Sequence, residues 1–198
     1  MGRLILAYGG SGSGKSAWAE RTLLAQAAQV PGARAVYLAA MESASPEAPA
    51  RIARHRAMRE AHGAAAGVSF ETVERTVDVG GAAVAPGDFV LLEDLGNLLA
   101  NEIWFPSGAG PALAEDRIFT GLTLLQARAA LLLVVSNDIF SDGGGYPPET
   151  MAYIRSLGSL HQRLAPLAEE VVEIVCGLPV VWKQAPGGSN PDFFTPQG

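Results

Sequence analysis

Short apolar runs alternate with segments of helical periodicity, the pattern expected when strands of a parallel α/β sheet are joined by crossover helices. Leu4–Tyr8 and Ala35–Ala40 read as the first two strands, and Phe89–Leu92 and Leu131–Ser136 as two more. The last two runs are apolar at consecutive positions, as strands covered on both faces require. Between them the 3.6-residue period predicts helices at Lys15–Gln29, Glu47–Glu60, Ala112–Ala129 and Glu149–Glu169. Near the end, Val171–Cys176, a Gly177-Leu178-Pro179 break and Val180–Trp182 predict a terminal hairpin. Loops fall at Gly63–Gly67, Gly80–Asp88, Pro106–Pro111 and Ser141–Pro148, and none has the length or composition of an interdomain linker. With no internal repeat, the expected organisation is one domain over 1–183 and a loose Pro/Gly/Asn-rich tail over 184–198.

The first strand runs straight into Gly9-Gly10-Ser11-Gly12-Ser13-Gly14-Lys15-Ser16, which satisfies the phosphate-loop pattern G-x-x-x-x-G-K-[ST]. Each part has a physical role. Glycines let the backbone curl until successive N–H groups point at one phosphate, in conformations that side chains forbid. The helix starting near Lys15 presents its positive dipole end to the same anion. Lys15 neutralises charge on the terminal phosphates, and the Ser16 hydroxyl is placed to coordinate Mg²⁺. A strand before the loop and a helical pattern after it separate this from a chance glycine-rich turn. The loop also needs a carboxylate at the end of a neighbouring strand to hold the metal's water shell. Phe89-Val90-Leu91-Leu92-Glu93-Asp94 supplies two acids; strand register decides which faces the metal, since adjacent side chains point to opposite faces.

Composition narrows the reading further. The chain has 198 residues, 48% of them apolar, and a formal net charge of −6. Its only lysines are Lys15 and Lys183, so a general nucleic-acid or anionic-membrane binder is not expected. Cys176 is the single cysteine, which excludes a disulfide framework and a thiolate zinc site and fits a reducing cytoplasm. Lying at the end of an apolar run, it is expected to be buried packing. No secretory signal is expected at the N-terminus, and the longest strongly apolar stretch, Ala129–Val135, is far too short to span a bilayer.

Arg51, His55 and Arg59 are spaced i, i+4, i+8 and so share one helix face, with Arg54 and Arg56 beside it. Guanidiniums around a histidine disfavour its cation and leave a neutral, nucleophilic imidazole, and they can hold incoming phosphates. On residue types alone, a solvated basic face explains the pattern equally well. His62 reads as a residue of a glycine-bounded loop with no partner in view, and His161 as a packing or surface residue of a long helix.

Together these segments resemble the bifunctional adenosylcobinamide kinase/adenosylcobinamide-phosphate guanylyltransferases of cobalamin nucleotide-loop assembly. The resemblance runs from Leu4 to Lys183. It rests on the phosphate loop, Tyr37-Leu38-Ala39, Arg51-Ile52-Ala53-Arg54-His55-Arg56, Phe70-Glu71-Thr72-Val73-Glu74, and Leu92-Glu93 with Asn101 downstream. Ser136-Asn137-Asp138 and the segment from Gly158 to Ala165 extend it. The chain departs from the family at Ser11-Gly12, often Ala-Arg; at Ala40, Asp94 and His161, commonly Thr, Cys and Asn; and at Arg155, usually Asp.

The resemblance implies a RecA-like P-loop fold, with a mostly parallel sheet flanked by helices and a C-terminal hairpin. It implies transfer of the terminal phosphate of ATP or GTP to adenosylcobinamide. GMP then passes from GTP to the cobinamide phosphate through a GMP-histidine intermediate on His55. Lys15 and His55 would be catalytic. Nucleotide would be held by Gly9 through Ser16 (Gly9, Gly10, Ser11, Gly12, Ser13, Gly14, Lys15, Ser16) with Ala39, Ala40, Met41, Arg56, Arg59, Glu74 and Glu93. Mg²⁺ would sit on Ser16 and Glu93, the partner is a corrinoid small molecule, and a homotrimer is expected. Two other readings stay open from the residues: a different small-molecule P-loop kinase whose arginines clamp the acceptor, and a nucleotide-dependent switch protein.

Overall fold

The computed structural model describes residues 2–41, 57, 59–140 and 145–184. Seven strands, β1 (Arg3–Gly9), β2 (Ala35–Ala39), β3 (Phe70–Glu74), β4 (Phe89–Glu93), β5 (Leu131–Asn137), β6 (Glu170–Val175) and β7 (Leu178–Lys183), form one sheet in the order β3-β2-β4-β5-β1-β6-β7. All neighbouring strands are parallel except the β6–β7 hairpin. The helices are α1 (Lys15–Ala27), α2 (helical over 59–66), α3 (Leu95–Trp104), α4 (Ala114–Arg128) and α5 (Pro148–Leu164), with a 3₁₀ turn at Val79–Gly81.

Strand alternation divides the apolar side chains between two faces. Ile5, Ala7, Tyr37, Leu91, Leu133 and Val135 pack with Ala19, Leu23, Leu24 and Ala27 of α1. Leu4, Leu6, Leu38, Val90, Leu92, Leu132 and Val134 pack with Leu98 of α3, Ile118 and Leu122 of α4, and Leu157 and Leu160 of α5. Each fully buried Leu or Ile contributes about 1.5–3 kcal/mol relative to exposure, so this two-sided core fixes the sheet on which the site is built. Among the described residues no helix is long and apolar enough to cross a membrane.

Several expectations are corrected. The helix α3 has no counterpart in the sequence reading; the Asp94 carboxylate starts it by accepting the Asn97 N–H at 2.8 Å. The loop expected at Gly63–Gly67 is helical to Ala66 and ends at Gly67, whose φ of 70° suits a left-handed helix stop. The helix expected over Glu149–Glu169 stops at Leu164 because Pro166 cannot continue it, leaving Glu170 to open β6. In the hairpin the turn is at Cys176 and Gly177, while Leu178 and Pro179 already belong to β7. Proline is tolerated there because β7 is an edge strand. Cys176, expected to be buried, is exposed at this turn with φ 51°. Most of the helix expected over Glu47–Glu60, and the tail beyond Gln184, lie outside the described residues.

Candidate nucleotide site

Parallel strands bring their carboxyl ends to one edge of the sheet, which is where open α/β sheets carry their ligands. β1 ends at Gly9, and Gly10 to Gly14 turn the chain into α1. Gly14 takes φ 89° and the first helical bond follows, Trp18 N–H donating to Gly14 O at 3.0 Å. A Cβ on Gly14 would also lie 3.2 Å from Gly177 Cα, so glycine is required there both for conformation and for space. The β6–β7 turn braces the loop from outside, Gly177 N–H donating to Ser13 O at 2.8 Å. Lys15 is buried along its stem and donates from Nζ to Gly10 O at 3.2 Å.

The acid that meets this loop is Glu93. Ser16 Oγ donates to Glu93 Oε1 at 2.6 Å, while Glu93 Oε2 is buried with no hydrogen-bond partner among the described residues. Burial pushes the Glu93 carboxyl up to about 7, reinforced by the charges of Asp94 and Glu20 and opposed by the Ser16 hydrogen bond and Lys15. Asp94 has another task. Its Oδ1 caps α3, its Oδ2 accepts from Asn97 Nδ2 at 3.1 Å and Asn137 Nδ2 at 3.4 Å, and burial raises its pKa. The expectation of a neighbouring strand needs one correction: β5 lies between β1 and β4, so Ser16 meets Glu93 across an intervening strand.

The donor set can be tested against Mg²⁺. A hydroxyl and a carboxylate are hard oxygens, and Glu93 Oε2 is a buried acceptor without a partner among the described residues. Among the described residues no group of three or more His, Cys, Asp or Glu could form an all-protein metal cage. The Ser16 hydroxyl and the Glu93 carboxylate fit an ion held by one or two side chains together with phosphate oxygens and water. The residues present suit Mg²⁺.

Ala39, Ala40 and Glu74 stand at the same edge. Ala39 pairs in register with both Glu93 and Glu74, and Ala40 N–H donates to Glu93 O at 3.1 Å. Asn101 holds this corner by donating to Ala40 O at 2.6 Å and Thr76 O at 3.0 Å. Met41 follows Ala40 directly in the chain. Arg59, on α2, lies with its guanidinium 3.8 Å from the centroid of the Tyr37 ring, and with Glu60, Ser69, Phe70 and Thr72 it lines a cavity of about 370 Å³. His55, Arg51, Arg54 and Arg56 lie outside the described residues.

His62, expected to be a loop residue without a partner, is on α2 with Nδ1 2.7 Å from Glu20 Oε2. Neither Glu20 nor Tyr37 carried any signal for a site role, because their partners lie far along the chain. His161 packs between the rings of Tyr8 and Phe140, and its Nε2 is 2.7 Å from Ser136 Oγ. Burial lowers its pKa to about 4.

The family model for cobinamide kinase / cobinamide phosphate guanyltransferase matches residues 5–182, nearly the whole chain. The chain belongs to this family. It is therefore an enzyme of a bifunctional kinase and guanylyltransferase family of cobalamin biosynthesis, with cobinamide as the substrate that membership implies and nucleotide as the donor. Among solved structures the chain is similar to the flagellar accessory protein FlaH from Methanocaldococcus jannaschii. The two share 11% identity at a TM-score of 0.51, over 95% of this chain and 82% of that one, a likeness of fold alone. That fold is the RecA-like P-loop architecture, with a mostly parallel seven-stranded sheet and a terminal antiparallel hairpin. No curated protein matches the chain significantly.

Proposed function

We propose that residues 1–183 act as one catalytic unit that carries out both family reactions, in the cytoplasm and as an assembly of identical chains, a trimer by family likeness. In the kinase half the donor's phosphates lie in the loop from Gly9 to Ser16. The cobinamide hydroxyl oxygen attacks the terminal phosphorus, the bond to the bridging oxygen breaks, and nucleoside diphosphate leaves as the hydroxyl proton passes to solvent. Lys15 stabilises the charge that spreads over the phosphate oxygens in that step. Ser16 and Glu93 would hold Mg²⁺, which when bound supplies further neutralisation of phosphate charge.

In the guanylyl half a neutral imidazole nitrogen of His55 attacks the α-phosphorus of GTP, and pyrophosphate departs. A phosphate oxygen of cobinamide phosphate then attacks the same phosphorus and breaks the P–N bond, giving adenosylcobinamide-GDP. Arg56 and Arg59 would hold phosphates during both transfers, and Ala39, Ala40, Met41 and Glu74 would complete the nucleotide site.

The observation that carries this reading is the Ser16–Glu93 contact of 2.6 Å at the mouth of the phosphate loop, in a chain whose family match covers both halves. The decisive experiment is intact mass after incubation with GTP and Mg²⁺ without acceptor. One GMP per chain, labile to acid and stable to base, is expected, and His55→Ala should abolish it while kinase activity persists. An equal adduct on His55→Ala would refute the assignment. No adduct on a wild-type chain with sound kinase activity would leave a kinase that has lost its transferase half.

A further inference from the structure

Two side chains that neither transfer uses meet behind the phosphate loop. Glu20 lies on α1 five residues beyond Lys15, and its side chain is 3% exposed. Its Oε2 is 2.7 Å from Nδ1 of His62 on α2. An exposed contact of this kind would be worth little. This one is enclosed, so separating its members would strand a buried carboxylate. His62 stands three residues after Arg59, on the same face of α2, and Arg59 is itself buried with its guanidinium over Tyr37. The charges of Glu20, Arg59, Arg21 and Glu93 all act on this small region: Glu20 is felt by Glu93, and Arg59 and Arg21 partly offset the burial that raises the pKa of Glu20. Apolar packing would hold α2 to α1 equally well. A hydrogen bond of fixed direction also sets the rotation of α2 about its own axis, and with it the place of Arg59.

We propose that the Glu20–His62 pair is a clasp that locks α2 onto the phosphate-loop helix and holds Arg59 at the guanylyl site. Both are then positioning residues for GMP transfer, and the inference rests on the role of Arg59 given under Proposed function. The clasp couples the two halves of the enzyme: the helix that receives the kinase donor's phosphates also carries the anchor for the arginine of the second reaction.

The test uses the full chain with His62→Leu and His62→Asn. An asparagine amide nitrogen falls close to the place of Nδ1 and can keep the bond to Glu20, whereas leucine cannot. Expected for His62→Leu is a tenfold or greater rise in the GTP concentration giving half-maximal adduct, with kinase turnover at saturation within twofold of wild type. His62→Asn should return the adduct to within threefold. Amide exchange in residues 59–66 should rise at least tenfold in His62→Leu, with α1 unchanged. Should His62→Leu fail to fold, Glu20→Met, which keeps the length of the side chain and has no hydrogen-bonding end, must show the same split. Adduct formation within twofold of wild type in His62→Leu, or equal losses in both halves, overturns the clasp. A wild-type chain that forms no adduct sinks the histidine chemistry instead. The clasp then stands or falls on the exchange of residues 59–66 alone.

Discussion

Replacing Glu93 by Gln should stabilise the metal-free, nucleotide-free protein at alkaline pH while disabling its kinase. The Glu93 carboxyl holds its proton up to about pH 7 in the folded chain, against 4.5 ordinarily. Between those values the folded state binds more protons than the unfolded one, so stability falls as pH rises. The contribution is fully present below about 4.5 and lost as pH climbs through about 7. At about 1.36 kcal/mol for each pH unit, the interval is worth on the order of 3 kcal/mol, an upper figure because water reaching the site would reduce it. A glutamine has the same shape and no charge, so it escapes this loss. Its Oε1 can still accept from Ser16.

Urea unfolding of both proteins at pH 5 and pH 8, with nucleotide and divalent cations removed, reads the difference directly. Near-equal stabilities are expected at pH 5, and an advantage of roughly 1–3 kcal/mol for Glu93→Gln at pH 8. Comparing the two proteins cancels the other titrating groups. Mg²⁺ with nucleotide should then stabilise wild type more than the variant, because only the ionised carboxylate gains a counter-charge. A pH-independent difference, or a wild type more stable than the variant at pH 8, would show that the carboxylate is solvated and the burial argument mistaken.

Three further outcomes follow from the same geometry. Lys15→Ala should lower kinase turnover by about a hundredfold or more while leaving the melting temperature close to wild type, since among the described residues it hydrogen-bonds a loop carbonyl, Gly10 O, and no core element; near-normal turnover at saturating nucleotide would count against the phosphate loop. Asp94→Asn should keep the α3 cap and damage the kinase less than Glu93→Gln, and the reverse order in steady-state assays would exchange the roles of the two acids. His161, held neutral to about pH 4 by burial, contributes stability that is present above about 6.5 and lost as pH falls toward 4. His161→Gln, whose amide nitrogen can replace Nε2 against Ser136, should therefore outlast wild type in urea at pH 4.5 and match it at pH 8.

The phosphate loop was legible because its chemistry fixes residue types at fixed spacing within one short stretch. Features that depend on partners from distant sequence were not. Glu93 and Asp94 are adjacent acids ending one apolar run, and only the packing of α1 and α3 sends one to Ser16 and the other to the Asn97 N–H. The intervening place of β5 is a matter of strand order, which local pattern does not encode. α3 escaped notice because it is buried on more than one side, with Leu95, Leu98, Leu99, Asn101 and Glu102 all enclosed, so no polar stripe marks its period. His62 looked like a loop residue since Gly63 and Gly67 follow it, yet Ala64, Ala65 and Ala66 sustain the helix between those glycines. Its carboxylate partner lies 42 residues away. Cys176 ends an apolar run but sits at the hairpin turn, where the chain leaves β6 and the thiol meets solvent. In each case the residue type set what the side chain could do, and a tertiary partner decided which of those things it does. The Glu20–His62 pair follows the same rule: its two members, 42 residues apart, meet only through the contact of α2 with α1.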